Sequence, residues 1–200
     1  MTSVTETSVL ADDARALLFT GARSAGSFTD EAVTEEQLRE IHELYKFGPT
    51  SMNTQPMRVV YVGPDDRDRL VAHLGEGNKA KTAAAPAVAI LAADTAFHEH
   101  FPTFFPDRAH LREQFEPMVE ARTDMARLNA TLQAAYYIMA VRAVGLDAGP
   151  MTGLDAAGID GEFFPDGRLQ TLMVVNIGHA TPPEFDRLPR LGFEKTTTVL

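Results

Sequence analysis

Gly149-Pro150-Met151-Thr152-Gly153-Leu154-Asp155 follows directly on the longest helical pattern of the chain, and its composition allows little besides a short loop. Pro150 fixes φ and offers no backbone N–H, while Gly149 and Gly153 permit turns that a side chain forbids. A rigid loop held by a buried helix can aim backbone N–H groups at a ligand without any special side chain. Most Gly/Pro loops are plain connectors, so the rest of the chain decides what this one is for.

The helix that feeds it, Glu120 to Gly145, carries Met125, Leu128, Leu132, Ala135, Tyr136, Met139, Val141 and Val144. These cover more than one stripe, which predicts burial on more than one side. Ala126, Ala130, Ala134, Ala135 and Ala140 allow close approach by another helix, in the core or across a dimer interface. After the loop, Asp160 to Gln170 reads as a loop or broken helix around Phe163-Phe164-Pro165. Thr171 to Ile177 reads as a strand ending at Gly178.

Toward the N-terminus, Pro86 to Ala93 is a continuous apolar run of strand length, predicted to be buried on both faces. Arg58 to Val62 is a second strand, and Pro64 to Leu74 a short charged helix. Ser8 to Thr20 reads as a helix with Val9, Leu10, Ala14, Leu17 and Leu18 on its apolar face. Thr34-Glu35-Glu36-Gln37 is a capping box, and the helix it starts carries Leu38, Ile41, Leu44 and Tyr45 before stopping at Gly48-Pro49. Asp94 to Pro117 is irregular and rich in Phe, a packed loop or a lid over a flat ligand. The tail from Thr181 is punctuated by Phe185, Leu188, Leu191 and Phe193, so it is expected to dock on something.

Composition narrows the function. Two hundred residues without repeats or linkers predict one domain over residues 1–200. With 44% hydrophobic and 23% charged residues the chain suits a soluble protein. No apolar run is long enough for a bilayer and the first ten residues lack a signal-peptide core, so no membrane association and cytoplasmic residence are expected. The absence of cysteine removes disulfides, thiolate nucleophiles and thiolate-held metals. A formal charge of −10 argues against a nucleic-acid partner. His98 and His100 have only Glu99 between them as a further ligand, so no metal site is expected. There is no G-x-S-x-G, Walker A or H-E-x-x-H motif. Gly75-Glu76-Gly77-Asn78-Lys79-Ala80 matches the dinucleotide fingerprint by letters, but a helix rather than a strand precedes it, and the match is rejected.

What remains is a set of loops with anion-binding and amide character. Arg23-Ser24 sits in a turn-rich stretch. Ser51, Asn53 and Gln55 alternate before a strand and, if extended, project toward one side. Asn78 and Lys81 lie three apart, on one helical face. Arg187 and Arg190 stand in the tail. Taken singly, each is a solvated turn, a surface linker or a cap. Together they fit a flat, phosphorylated heterocycle such as FMN. Arginine forks suit phosphate, amides suit a heterocycle edge, and a lysine suits partial negative charge on a ring.

At these positions the chain resembles the FMN-dependent nitroreductase family. The matching pieces are Ala22-Arg23-Ser24, Gly48-Pro49-Thr50-Ser51-x-Asn53-x-Gln55-Pro56, Asn78 with Lys81, Gly149-Pro150-Met151-x-Gly153-x-Asp155 and Arg187-Leu188-Pro189. Within the family it is most similar to the malonic semialdehyde reductase (3-hydroxypropanoate dehydrogenase) branch. That similarity rests on Gln133-Ala134-Ala135-Tyr136, Arg142-Ala143-x-Gly145-Leu146-Asp147 and Arg187-Leu188-Pro189-Arg190-Leu191.

The resemblance implies an α+β fold, a mixed sheet flanked by helices, and an intertwined homodimer with an exchanged C-terminal segment. It implies FMN at the subunit interface, with Arg23, Ser24 and Arg187 at the phosphate and ribityl end. Ser51, Asn53 and Gln55 would line the flavin, and Asn78 and Lys81 would face its pyrimidine edge, with Lys81 stabilising negative charge. The backbone of Pro150, Met151, Thr152 and Gly153 would pass the reactive N5. NADH or NADPH would be the donor and a small molecule the acceptor, malonic semialdehyde or a nitroaromatic or quinone. A flavin-binding protein without turnover and an oxygen-using flavin-modifying enzyme are the other readings of the same fold. This chain has Ala22 and Gly26 where the family carries basic residues, and Arg190 is the candidate to compensate.

Overall fold

The computed structural model describes residues 9–183 and 185–200. Its centre is β2 (Ala87–Asp94), a strand of small and branched apolar residues that is buried on both faces. On one side it pairs with β1 (Met57–Tyr61), on the other with β4 (Leu169–Gly178), and β4 pairs with β3 (Asp147–Met151). The order β1-β2-β4-β3 leaves β1 and β3 as edges. Every pairing among the described residues is antiparallel, so the mixed character expected of the sheet does not arise among them. Helices flank this sheet on both faces, and the fold is α+β as expected.

Alternation along β2 and β4 sorts the core into two layers. Ala89, Leu91 and Ala93 face α7 (Val119–Ala143), together with Val175 and Ile177 of β4. Ala126, Ala130 and Ala134 of α7 are fully buried there, and their small side chains bring the helix close to the sheet. Ile41 of α2 (Glu35–Tyr45) closes this layer. On the opposite face Val88, Ile90, Ala92 and Val174 pack with Leu70 of α3 (Pro64–Ala72) and Ile159 of α8 (Ala156–Phe163). The short α4 (Glu76–Ala83) follows α3. Each fully buried Leu or Ile contributes about 1.5–3 kcal/mol.

The capping box forms as the sequence predicts. Gln37 N–H donates to Thr34 Oγ1 at 3.2 Å, and Thr34 N–H donates to Gln37 Oε1 at 2.9 Å. The Phe-rich segment is packed and partly helical, with α5 (Phe101–Phe104) and α6 (Leu111–Phe115). Phe97, Phe101 and Phe115 enter the α7 layer of the core. The last helix, α9 (Phe193–Thr196), lies in an exposed tail.

Several expectations change. Gly149, Pro150 and Met151 are not loop residues but strand, paired opposite Asn176, Val175 and Val174. Pro is tolerated there because β3 is an edge, where a missing N–H leaves no ladder bond unmade. The first helix, α1 (Asp12–Arg15), starts later than expected and continues as a π-helical turn, Ala16–Thr20. Ser8, its expected start, lies outside the described residues. Val9, Leu10 and Leu17 are exposed, so that apolar face finds no cover among the described residues. Residues 156–163 form α8, which runs into the Asp160–Gln170 stretch expected to be a loop or broken helix; Asp155 accepts from Gly158 N–H and caps it. The second stripe of α7 is open: Leu128, Leu132 and Tyr136 are 65%, 47% and 45% exposed.

Candidate functional site

The segment Ala22–Ser27 is pinned along the outer edge of β3. Ala25 N–H donates to Ala148 O at 3.0 Å, and Thr181 N–H donates to Ser27 O at 3.1 Å. Gly149 makes the approach possible, since a Cβ there would lie 2.6 Å from Ala25 O. Beyond β4 the tail turns back past Pro182 and Pro183. Arg187 Nη2 then donates to Ala22 O at 2.6 Å, and Arg23 Nη1 donates to Phe185 O at 2.7 Å. These crossed arginine bonds join segments more than 160 residues apart. They frame a cleft of about 750 Å³ whose walls include Arg23, Ser24, Asp147, Phe185, Arg187 and Arg190. Arg190 Nη1 donates to Leu188 O, within its own turn, at 2.8 Å.

Arg142, from the last turn of α7, adds positive charge beside this cleft. Its Nη1 donates to Leu18 O at 3.0 Å. Burial holds its pKa below the usual arginine value, with Arg187 acting in the same direction and Asp147 opposing.

A second group gathers where β3 ends. The Gly153 carbonyl accepts from Gly75 N–H and from Asn78 Nδ2, both at 2.9 Å. Asp155 N–H donates to His73 O at 2.8 Å, so the corner between α3 and α4 clamps the loop. Thr152 and Gly153 are exposed, and their N–H groups have no hydrogen-bond partner among the described residues. Lys81 lies on α4, one turn beyond Asn78 and half-buried, and makes no ion pair among the described residues; Lys79 pairs with Glu76 at 3.0 Å. The Asn78 donor is thus committed to the loop itself.

The third group is Ser51, Asn53 and Gln55. They were expected in an extended segment, but Ser51–Asn53 is a short 3-10 turn, with Met52, Asn53 and Gln55 at φ of 51°, 56° and 43°. Left-handed backbone at three non-glycine residues replaces the alternation that an extended strand would give. The amides do meet: Gln55 Nε2 donates to Asn53 Oδ1 at 2.9 Å, and Asn53 Nδ2 donates to Phe104 O at 3.2 Å. This loop leads into β1, at the opposite edge of the sheet from β3. Three strand spacings, roughly 14 Å, separate the two edges. Among the described residues no hydrogen bond joins this loop to the other two groups.

Two residues that carried no site role in the sequence hold the loop, Asn129 and Gln133 of α7. Asn129 Oδ1 accepts from Ser51 N–H and Gln133 Oε1 from Met57 N–H. Their signal was available as two amides four residues apart on an alanine-rich helix face. His98, by contrast, is buried against Glu116 and Arg122, and among the described residues no metal-binding cluster exists. No helix of the described residues is long and apolar enough to cross a membrane.

The nitroreductase family model matches residues 20–179, from just before the Arg23 segment to the end of β4. The chain belongs to the nitroreductase family. A Streptomyces coelicolor member with the provisional name NADH dehydrogenase/NAD(P)H nitroreductase is 52% identical over 184 residues, 91% of each chain. Among solved structures, a nitroreductase-fold protein from Exiguobacterium sibiricum, in complex with FMN, superposes with a TM-score of 0.82. It is 19% identical and covers 96% of this chain and 100% of its own. A gut-bacterial enone reductase of fatty-acid biohydrogenation gives a TM-score of 0.79 at 18% identity, covering 96% of this chain and 100% of its own. Such likenesses establish the shared fold. At the letter match to the dinucleotide fingerprint a helix, α3, precedes Gly75, and Gly75 and Gly77 flank the start of α4.

Proposed function

We propose that this nitroreductase-family chain is an FMN-dependent NAD(P)H oxidoreductase that works as a homodimer. The observation that carries the reading is the arginine-braced cleft at the β3 edge. There two cationic side chains from opposite ends of the chain, with Ser24, line a space of ligand size. The donors present suit FMN. Arg23, Ser24 and Arg187 offer forked and hydroxyl donors for its phosphate and ribityl end, and Arg190 lines the same space. Thr152 and Gly153 offer N–H groups, without a partner among the described residues, for a ring nitrogen, and Lys81 brings positive charge for the pyrimidine edge.

Ser51, Asn53 and Gln55 lie at the far edge of the sheet, about 14 Å away, too far to line the same ring from one chain. A second copy supplies them. The open stripe of α7 and the exposed Phe185, Leu188, Leu191 and Phe193 of the tail provide apolar surface for that partner, and an exchanged tail would cover it. A single unit over residues 1–200 and cytoplasmic residence belong to the same proposal. Bound FMN would supply hydride acceptance from NAD(P)H and delivery to an acceptor in alternation through N5. No side chain of the site stands out as a proton donor, so solvent or the flavin supplies the proton.

The acceptor proposed from the branch resemblance is malonic semialdehyde, reduced to 3-hydroxypropanoate. A nitroaromatic or quinone is the broader alternative. Purified enzyme should be yellow, dimeric by light scattering, and bleached anaerobically by NADH or NADPH. Flavin that NAD(P)H fails to bleach would leave a flavin-binding protein without turnover. Reduced enzyme that is reoxidised by a nitroaromatic or quinone but not by malonic semialdehyde would remove the aldehyde reading.

A further inference from the structure

Asn129 and Gln133 sit on the alanine-lined face of α7 and are 1% and 2% exposed. A buried amide on such a face is costly unless it is hydrogen-bonded. Both spend their amide oxygen on backbone N–H groups of one loop, Asn129 on Ser51 at 2.7 Å and Gln133 on Met57 at 3.0 Å. Asn129 Nδ2 donates to Met125 O at 2.8 Å, which fixes the amide's orientation. Between the two anchor points lie Met52, Asn53 and Gln55, all with positive φ. L side chains avoid that region, and backbone strain of this kind persists only where the surroundings over-determine it.

We propose that Asn129 and Gln133 are positioning residues for the cofactor site, holding Thr50–Met57 in its left-handed path so that Ser51, Asn53 and Gln55 meet the flavin. The proposal rests on the FMN reading above. One rigid helix supplies both anchors at i and i+4, so the spacing of the loop's ends is set by α7 and not by the loop. Leu128 and Leu132, each one residue ahead of an anchor, lie on the exposed stripe of the same helix. The surface offered to the second copy and the loop offered to its flavin therefore move as one piece.

The test uses the near-isosteric variants Asn129→Leu and Gln133→Met, with Gln133→Glu as a rescue that keeps the acceptor oxygen. Apoprotein is titrated with FMN, and each saturated enzyme is measured for its visible flavin spectrum and midpoint potential. Far-UV circular dichroism checks folding. Loss of an anchor should weaken FMN binding about tenfold or more, the loss of one buried hydrogen bond. It should also shift the flavin band and the potential, and Gln133→Glu should recover most of both. If a variant does not fold, Asn129→Ser or Gln133→Ala, which remove volume and add none, takes its place in the same comparison. Folded variants with wild-type affinity, spectrum and potential overturn the proposal alone. Wild-type apoprotein that takes up no FMN removes the FMN reading and this proposal with it.

Discussion

Gly149→Ala is the substitution that most directly probes how the cleft is built. Its Cβ would sit 2.6 Å from Ala25 O and 3.6 Å from Asn176 Cβ. The second contact is ordinary, but the first is a clash with a backbone oxygen that no rotamer change relieves. Either β3 or the Ala22–Ser27 segment has to move, and the Ala25–Ala148 hydrogen bond of 3.0 Å is the first to go. Overpacking of this kind costs about 1–3 kcal/mol and the lost bond about 0.5–1.5 kcal/mol. Lower entropy of the unfolded alanine chain returns about 0.4–1 kcal/mol. Those terms leave a net loss of roughly 0.5–4 kcal/mol, centred near 2, and a loss of about 2 kcal/mol lowers Tm by roughly 4–8 °C in a chain of this size. Because Arg23 and Ser24 move with Ala25, FMN affinity should fall as well. Gly161→Ala is the control: α8 leaves open space around it, and helix propensity predicts a gain of about 0.5–1 kcal/mol. Thermal unfolding and FMN titration of both variants decide the matter. A Gly149→Ala protein as stable and as tight for FMN as wild type would refute the close approach between β3 and the arginine segment.

Gly153→Val should slow flavin reduction by NAD(P)H more than Thr152→Ala. A Cβ at 153 lies 2.9 Å from Asn78 Nδ2 and breaks the bond that holds the loop, whereas Thr152 is exposed; the reverse order in stopped-flow traces would show that the Thr152 side chain is the functional part. Arg187→Ala should weaken FMN binding by about tenfold or more, since it removes a cation and the Ala22 brace together. If Arg190→Ala leaves the affinity unchanged in the same titration, Arg190 does not replace the basic residues absent beside Arg23. At alkaline pH, Tyr45 is pushed up to about 12 by burial, with Tyr61 beside it adding to the shift, and Tyr137 is raised well above its usual value, again chiefly by burial. A phenol with a raised folded pKa stabilises the fold fully below its unfolded value of 10.0. That stability is lost as pH climbs from there through about 12. Tyrosinate absorbance should therefore rise together with a falling urea midpoint, and a normal titration with constant stability would contradict it.

Local chemistry was legible in the sequence wherever one element decides its own form. The apolar run of β2, the capping box at Thr34 and the alanine face of α7 depend on nearest neighbours and solvent, and all appear as expected. The site residues could be nominated because forks, amides and turn glycines carry their chemistry in their type. Their grouping could not be read in the same way. Arg23 and Arg187 meet only because the tail crosses back over the β3 edge, a contact across 165 positions where Arg187 reaches Ala22. Asn129 and Gln133 reveal their purpose only when α7 lies under the loop.

Gly149 to Asp155 marks the division between the two. The sequence by itself determined that this stretch is stiff, short of donors and tolerant of close approach, because those are properties of Gly and Pro. Only the tertiary structure decided that its first half is an edge strand, since β4 offers an unpaired ladder that even Asp-Ala-Gly-Pro-Met can take up. Strand pairing is a property of two segments, and neither one carries it alone.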